Sequence, residues 1–227
     1  MKPTTALHWR IAKLLTVVGT LASNWWLLVP WLSGIVDPRL GLFSDLEVAG
    51  AAYSSLFRGL DLLAASSFLV ALLLRGPSMP GLVRRPEFSF LIAFCVAEMM
   101  GALSPYVCAE STYATCRQLE WHLQLPGRHY LHIVAGVAEF FFLTVAAGLM
   151  FKRTRTSRDV MARSARVVIW ILGFAYPALA VVYLADRFGA FVEPVFVLTF
   201  CAVVALEVFE RPLLETGQAP VSGMLGN

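Results

Sequence analysis

The sequence predicts an all-α integral membrane protein, a bundle of six transmembrane helices with both termini cytoplasmic. Three observations carry this expectation. The 227 residues are 58% apolar and only 15% charged, where soluble domains average about 45–50% and about 25%. Six stretches, residues 11–31, 53–74, 88–106, 130–151, 167–185 and 191–209, each approach the roughly 20 apolar residues that cross a hydrocarbon core. The basic residues fall in the short gaps between these stretches rather than on one water-facing patch. Such a chain has too little polar surface to coat a soluble globule, so a soluble enzyme and a disordered chain are excluded. The net charge of +3 implies no nucleic-acid partner, because the charges are dispersed.

Lys2, Arg10 and Lys13 cluster at the start of the first span, a start that resembles a signal peptide. Asn24-Trp25-Trp26 offers no small-residue cleavage motif, and the apolar run resumes to Trp31, so the segment is expected to remain as a permanent helix. Trp25, Trp26 and Trp31 are expected to anchor its outer end at the interface. In the following loop, Ser44-Asp45-Leu46-Glu47 has the spacing of a capping box, in which Ser and Glu each satisfy the other's backbone N–H. This predicts a short helix from about Asp45, either leading into the second span or covering the outer mouth with Phe43 and Leu46 on its apolar side.

Arg75, Arg84 and Arg85 separate the second and third spans. Cys108 and Cys116 then share the loop before the fourth span. Their spacing suits a disulfide worth roughly 2.5–3 kcal/mol on the chain-entropy estimate, with a metal pair completed by His122 as the alternative. Cys95 and Cys201 lie inside spans and are expected to pack as small apolar residues. Lys152, Arg153, Arg155, Arg158, Arg163 and Arg166 follow the fourth span, and Arg211 opens a tail, residues 211–227, expected to be flexible. Thirteen basic residues fall on this side against Arg39, Arg117, Arg128 and Arg187 on the other, which sets the orientation by the positive-inside rule. The run after the fourth span also suits a membrane-protein partner or anionic lipid.

Ionisable residues inside spans are costly unless paired, neutralised or hydrated. Counted from the outer helix ends at 1.5 Å per residue, Asp61 and Glu98 lie about 12 Å deep and Glu139 about 14 Å, one level near the midplane. Arg58 precedes Asp61 by one turn, and Ser54, Arg58, Asp61 and Ala65 fall on one stripe. His129, His132, Gly136 and Glu139 form a second stripe, and Cys95, Glu98 and Ala102 a third. Thr16, Thr20, Ser23 and Asn24 on the first span, with Gly173, Tyr176 and Tyr183 on the fifth, complete a polar interior.

Three uses of this interior compete. Arg58 pairs with Asp61 while Glu98 and Glu139 are neutral, so the cluster only fixes helix register. Alternatively, Arg58, Asp61, Glu98, His129, His132 and Glu139 line a cavity open to the outer leaflet that takes an anionic headgroup or similar amphiphile. In the third use, Asp61, Glu98, His132 and Glu139 hold a divalent metal for hydrolysis, or the acids couple ion transport. The sequence has no HExxH and no nucleophile elbow, and no cofactor is expected.

Ser44-Asp45-Leu46, Tyr53 with Phe57-Arg58 and Asp61, Cys108 and Cys116, and Arg128-His129-Tyr130 with His132 resemble the prokaryotic six-span family of domain of unknown function 998. The layout is more distantly similar to the Frag/DRAM/Sfk membrane proteins of eukaryotes. The resemblance covers about residues 11–209. It implies a small bacterial plasma-membrane protein with six helices and no assigned catalytic residue, and it groups Arg58, Asp61 and His132. The functional expectation is therefore a multi-pass protein whose outer-facing cavity binds membrane lipid or another amphiphile, as an accessory to envelope assembly. Its alternatives are a metal-dependent membrane hydrolase and an ion-coupled transporter.

Overall fold

The structure is a computed structural model, and it describes residues 3–32, 43–78, 85–109, 113–155, 160–185 and 189–210. The described residues are all-helical, with no strand. There are six long helices, α1 (Pro3–Ser23), α2 (Ser54–Ser78), α3 (Pro86–Leu103), α5 (Gly127–Thr154), α6 (Val160–Ala185) and α7 (Gly189–Phe209), with a short α4 (Ala114–Trp121) between α3 and α5. Five segments, Ala6–Trp31, Ser54–Gly76, Pro86–Leu103, Gly127–Thr154 and Val192–Phe209, are long and apolar enough to cross a membrane. α6 is 26 residues long and carries Arg163 and Arg166 in its first two turns. The 211–227 tail lies outside the described residues, as does Arg187.

Neighbours in the ring follow chain order, α1–α2–α3–α5–α6–α7, and α7 closes back onto α1. One end of this ring carries the Cys108–Cys116 disulfide. The other gathers Arg75, Arg85 and Arg153, and both α1 and α7 have their outermost described residues there, since the Trp9 indole donates to the Val208 carbonyl at 3.1 Å. The disulfide, not the metal pair, is what forms; His122 Nδ1 instead meets the Gln118 carbonyl at 2.7 Å. Both cysteines should resist alkylation until a reductant is added, and free thiols at both positions in untreated protein would contradict the bridge.

Small residues allow the close helix approaches. An added Cβ on Gly19 would stand 2.6 Å from the Phe68 ring, so α1 and α2 meet with no room for a side chain at that point. Buried hydroxyls are satisfied locally: Thr16, Ser23, Thr154 and Thr199 each donate to the carbonyl four residues earlier. Cys95 and Cys201 are buried free thiols within the core. That core runs through Phe68, Leu72, Leu91, Phe94, Leu143, Met150 and Phe196.

Two helix ends that bear on the site differ from the sequence reading. The first span is not one helix: α1 ends at Ser23 and a 3-10 helix, Trp25–Trp31, follows. Asn24 causes the break by turning its side chain onto its own backbone, with Nδ2 donating to the Thr20 carbonyl at 2.7 Å and Oδ1 accepting from the Trp26 indole at 3.0 Å. Of the three tryptophans of the first span, Trp31, 79% exposed, stands out at the bundle surface as an interfacial anchor would, while Trp25 turns inward and is buried. The third span stops at Leu103, so Tyr106 belongs to a loop.

The Ser44–Glu47 segment is helical, but as a single 3-10 turn, Phe43–Glu47. Its cap is not the reciprocal box. Glu193 of α7 supplies it, accepting from the Phe43 N–H at 2.5 Å and the Ser44 N–H at 3.4 Å. Glu47 is thereby released to point inward and is only 7% exposed. Phe43 and Leu46 are buried against Trp25, Val29 and Phe57, so this turn does cover the end of the bundle.

At the opposite end, acids and arginines on or beside four helices form one partly buried network, with Glu207 fully buried and Arg153 27% exposed. Arg153 on α5 contacts Glu87 at 2.7 Å, Glu207 at 3.0 Å and Glu210 at 2.8 Å. Arg85 meets Glu207 at 3.2 Å and Glu210 at 2.7 Å, and Arg75 donates to the Glu210 carbonyl. Part of the basic character found in the gaps between spans is therefore folded inward, where it neutralises carboxylates.

Candidate functional site

A cavity of about 500 Å³ occupies the disulfide end of the ring. Its upper wall is Trp25, Trp26, Phe43, Ser44 and Tyr106, and its floor is aromatic, with Phe68, Phe94, Phe140, Phe196 and Phe200. The floor rings meet edge to face, Phe140 with Phe196 at 4.7 Å and Phe94 with Phe200 at 5.2 Å between centroids, a favoured arrangement of ring quadrupoles. Space exists at mid-wall because Gly101, Ala102 and Gly136 line it with little or no side chain. Val137 lines the cavity and is also 65% exposed. The cavity wall therefore reaches the bundle surface at this α5 residue, with Leu179 of α6 also in the lining.

Five carboxyl groups face this space: Glu47, Asp61, Glu98, Glu139 and Glu193. Three are engaged. Glu193 caps the Phe43 turn, Asp61 accepts from the Trp25 indole at 2.7 Å, and Glu47 lies within hydrogen-bonding reach of Asp61. The Trp25 ring is itself held by stacking on Phe57, with centroids 4.2 Å apart. Glu98 and Glu139 have no hydrogen-bond partner among the described residues, and Glu98 Oε2 is sealed from solvent. Glu139 fits because α3 has a glycine opposite: a Cβ on Gly101 would stand 3.1 Å from Glu139 Oε1.

His132 lines the cavity with its ring over Tyr106, centroids 3.9 Å apart. Its Nδ1 is 3.0 Å from the carbonyls of both Gly101 and Ser104. Two acceptors there require that Nδ1 carry the proton. Taking the Tyr106 phenol out of water, with Asp45, Glu193, Glu47 and Glu120 nearby, lifts its pKa well above the ordinary value of 10.0, so it stays a neutral donor.

The structure thus brings Asp61, Glu98, His132 and Glu139 to one cavity and leaves Arg58 and His129 outside its lining. Arg58 makes no ion pair with Asp61, whose bonds go to Trp25 and Glu47, and its Nε is buried without a partner. His129 is fully buried, with Nε2 3.0 Å from Glu120 and Nδ1 accepting from the Val107 N–H. It ties α5 to α4 and the disulfide loop. Tyr183 lies where no side chain is described. Among the described residues, no three His, Cys, Asp or Glu side chains are grouped to hold a metal ion. Glu47 and Glu193 were not selected from sequence because they lie at or beyond span ends. A signal was present in Glu193-Pro194, an acid inside an otherwise apolar run.

Burial, followed by the proximity of Asp61 and Glu193, lifts the Glu47 pKa well above its ordinary 4.5. The folded protein then holds a proton that the unfolded chain releases, so stability falls as pH rises from about 4.5. Glu47→Gln should flatten this dependence and raise the midpoint of thermal unfolding in mild detergent at neutral pH. A variant whose midpoint follows pH as steeply as the parent's would count against it.

No protein-family model, curated protein or solved structure matches the chain.

Proposed function

We propose that this chain is a six-span protein of a bacterial plasma membrane, with both termini cytoplasmic, whose cavity faces the outer leaflet and binds a lipid or other amphiphile. The observation that carries this reading is the cavity itself, about 500 Å³ with carboxyls and a histidine above an aromatic floor and a wall that reaches the bundle surface at Val137. Such a shape takes a polar head inside and lets a chain leave between α5 and α6. A disulfide at the cavity end fits an oxidising compartment, and the arginine-rich gaps at the other end fit the cytoplasmic side. The network of Arg85, Arg153, Glu87, Glu207 and Glu210 occupies that second end, away from the cavity lining. We include in this proposal membership of the six-span family of domain of unknown function 998 and an accessory role in envelope assembly.

Gly136 provides the test. It lines the cavity, and an added Cβ there meets nothing within 4 Å, so Gly136→Phe should fill space without displacing neighbours. Protein purified in mild detergent and measured by native mass spectrometry should carry an amphiphile that Gly136→Phe loses and that Lys152→Gln/Arg155→Gln keeps. Equal retention by Gly136→Phe and the parent, with loss from the basic-loop variant, would move the binding surface to that loop.

A further inference from the structure

We propose that the polar end of the bound amphiphile is an ammonium group; this rests on the amphiphile reading above and specifies its chemistry. Five carboxyls line the cavity and, among the described residues, no Lys or Arg does. Three of these acids are used within the protein, by the Phe43 turn, by the Trp25 indole and by each other. Glu98 and Glu139 are left facing the space, and Glu98 Oε2 is buried with no hydrogen-bond donor among the described residues. A buried acceptor without a donor is costly, so its natural complement is a ligand that brings N–H groups or positive charge.

The remaining lining agrees in sign. Aromatic faces such as Phe140 and Tyr176 attract a cation through the ring quadrupole. His132 offers no positive counter-charge through Nδ1, since that N–H is already donated to two carbonyls. Arg58, the group a phosphate would need, stands outside the lining. An anionic headgroup would meet five acids and no cation, whereas an ammonium group would sit between Glu98 and Glu139 with its chain leaving past Val137.

The experiment compares headgroups on one chain. Full-length protein in maltoside micelles, with a low mole fraction of added amphiphile, is titrated with dodecyltrimethylammonium, dodecyl phosphate and short tetramethylammonium, read by fluorescence of the cavity tryptophans Trp25 and Trp26. Dodecyltrimethylammonium should bind saturably and at least about tenfold more tightly than the phosphate, a difference of about 1.4 kcal/mol. Glu98→Gln/Glu139→Gln, isosteric and checked for folding by gel filtration, should erase that preference. Equal or tighter binding of dodecyl phosphate would overturn the ammonium assignment and leave the amphiphile reading standing. Binding of tetramethylammonium as tight as that of its dodecyl analogue would point to a free small cation and overturn the amphiphile reading. Failure of all three probes would overturn both.

Discussion

Arg153→Met is expected to destabilise the protein by about 3–5 kcal/mol, the usual cost of removing one partner from a buried ion pair. Arg153 is the residue on which three acids converge, Glu87, Glu207 and Glu210, all within 3.0 Å. Glu207 is 0% exposed, so without Arg153 one of its oxygens is stranded while the other keeps Arg85 at 3.2 Å. Unfolding of the purified protein in mild detergent measures the loss. The double variant Arg153→Met/Glu207→Gln should recover part of it, because the stranded charge is then gone. A change of less than about 0.5 kcal/mol in the single variant would show that the network behaves like exposed surface charge.

Trp25→Ala should cost a similar amount, about 3–5 kcal/mol, as expected for deletion of a large buried ring. Trp25 stacks on Phe57 and meets Phe43 edge-on, so it holds the covering turn to α2. Trp25→Phe keeps most of that packing and removes only the donor to Asp61, which should cost about 1–3 kcal/mol for one unsatisfied buried acceptor. The two variants separate ring from hydrogen bond. Equal losses would mean that the indole N–H, not the packing, carries the contribution of Trp25.

Much of this protein was legible in one dimension. Apolar length located the long helices, since crossing distance and rise per residue constrain them without reference to neighbours. The Cys108–Cys116 bridge followed from a spacing that closes a short loop, and the structure contains it. Depth counting placed Asp61, Glu98 and Glu139 at one level, and all three line one cavity. The misreadings are azimuthal. Arg58 is one turn from Asp61 on the same helix, yet the closer partners of Asp61 come from residues 36 and 14 positions earlier, Trp25 and Glu47.

Composition and hydropathy by themselves determined that this chain is helical and built for an apolar surrounding, because those properties add residue by residue. Tertiary structure alone decided which polar groups meet. Whether Glu193 caps the Phe43 turn, Glu47 turns inward or Glu207 receives Arg153 depends on the ring order of the helices and on a loop folding back over its end. Helical periodicity gives a side chain's angle about its own axis but not the rotation of that axis against its neighbours, and here that rotation sets the chemistry of the cavity.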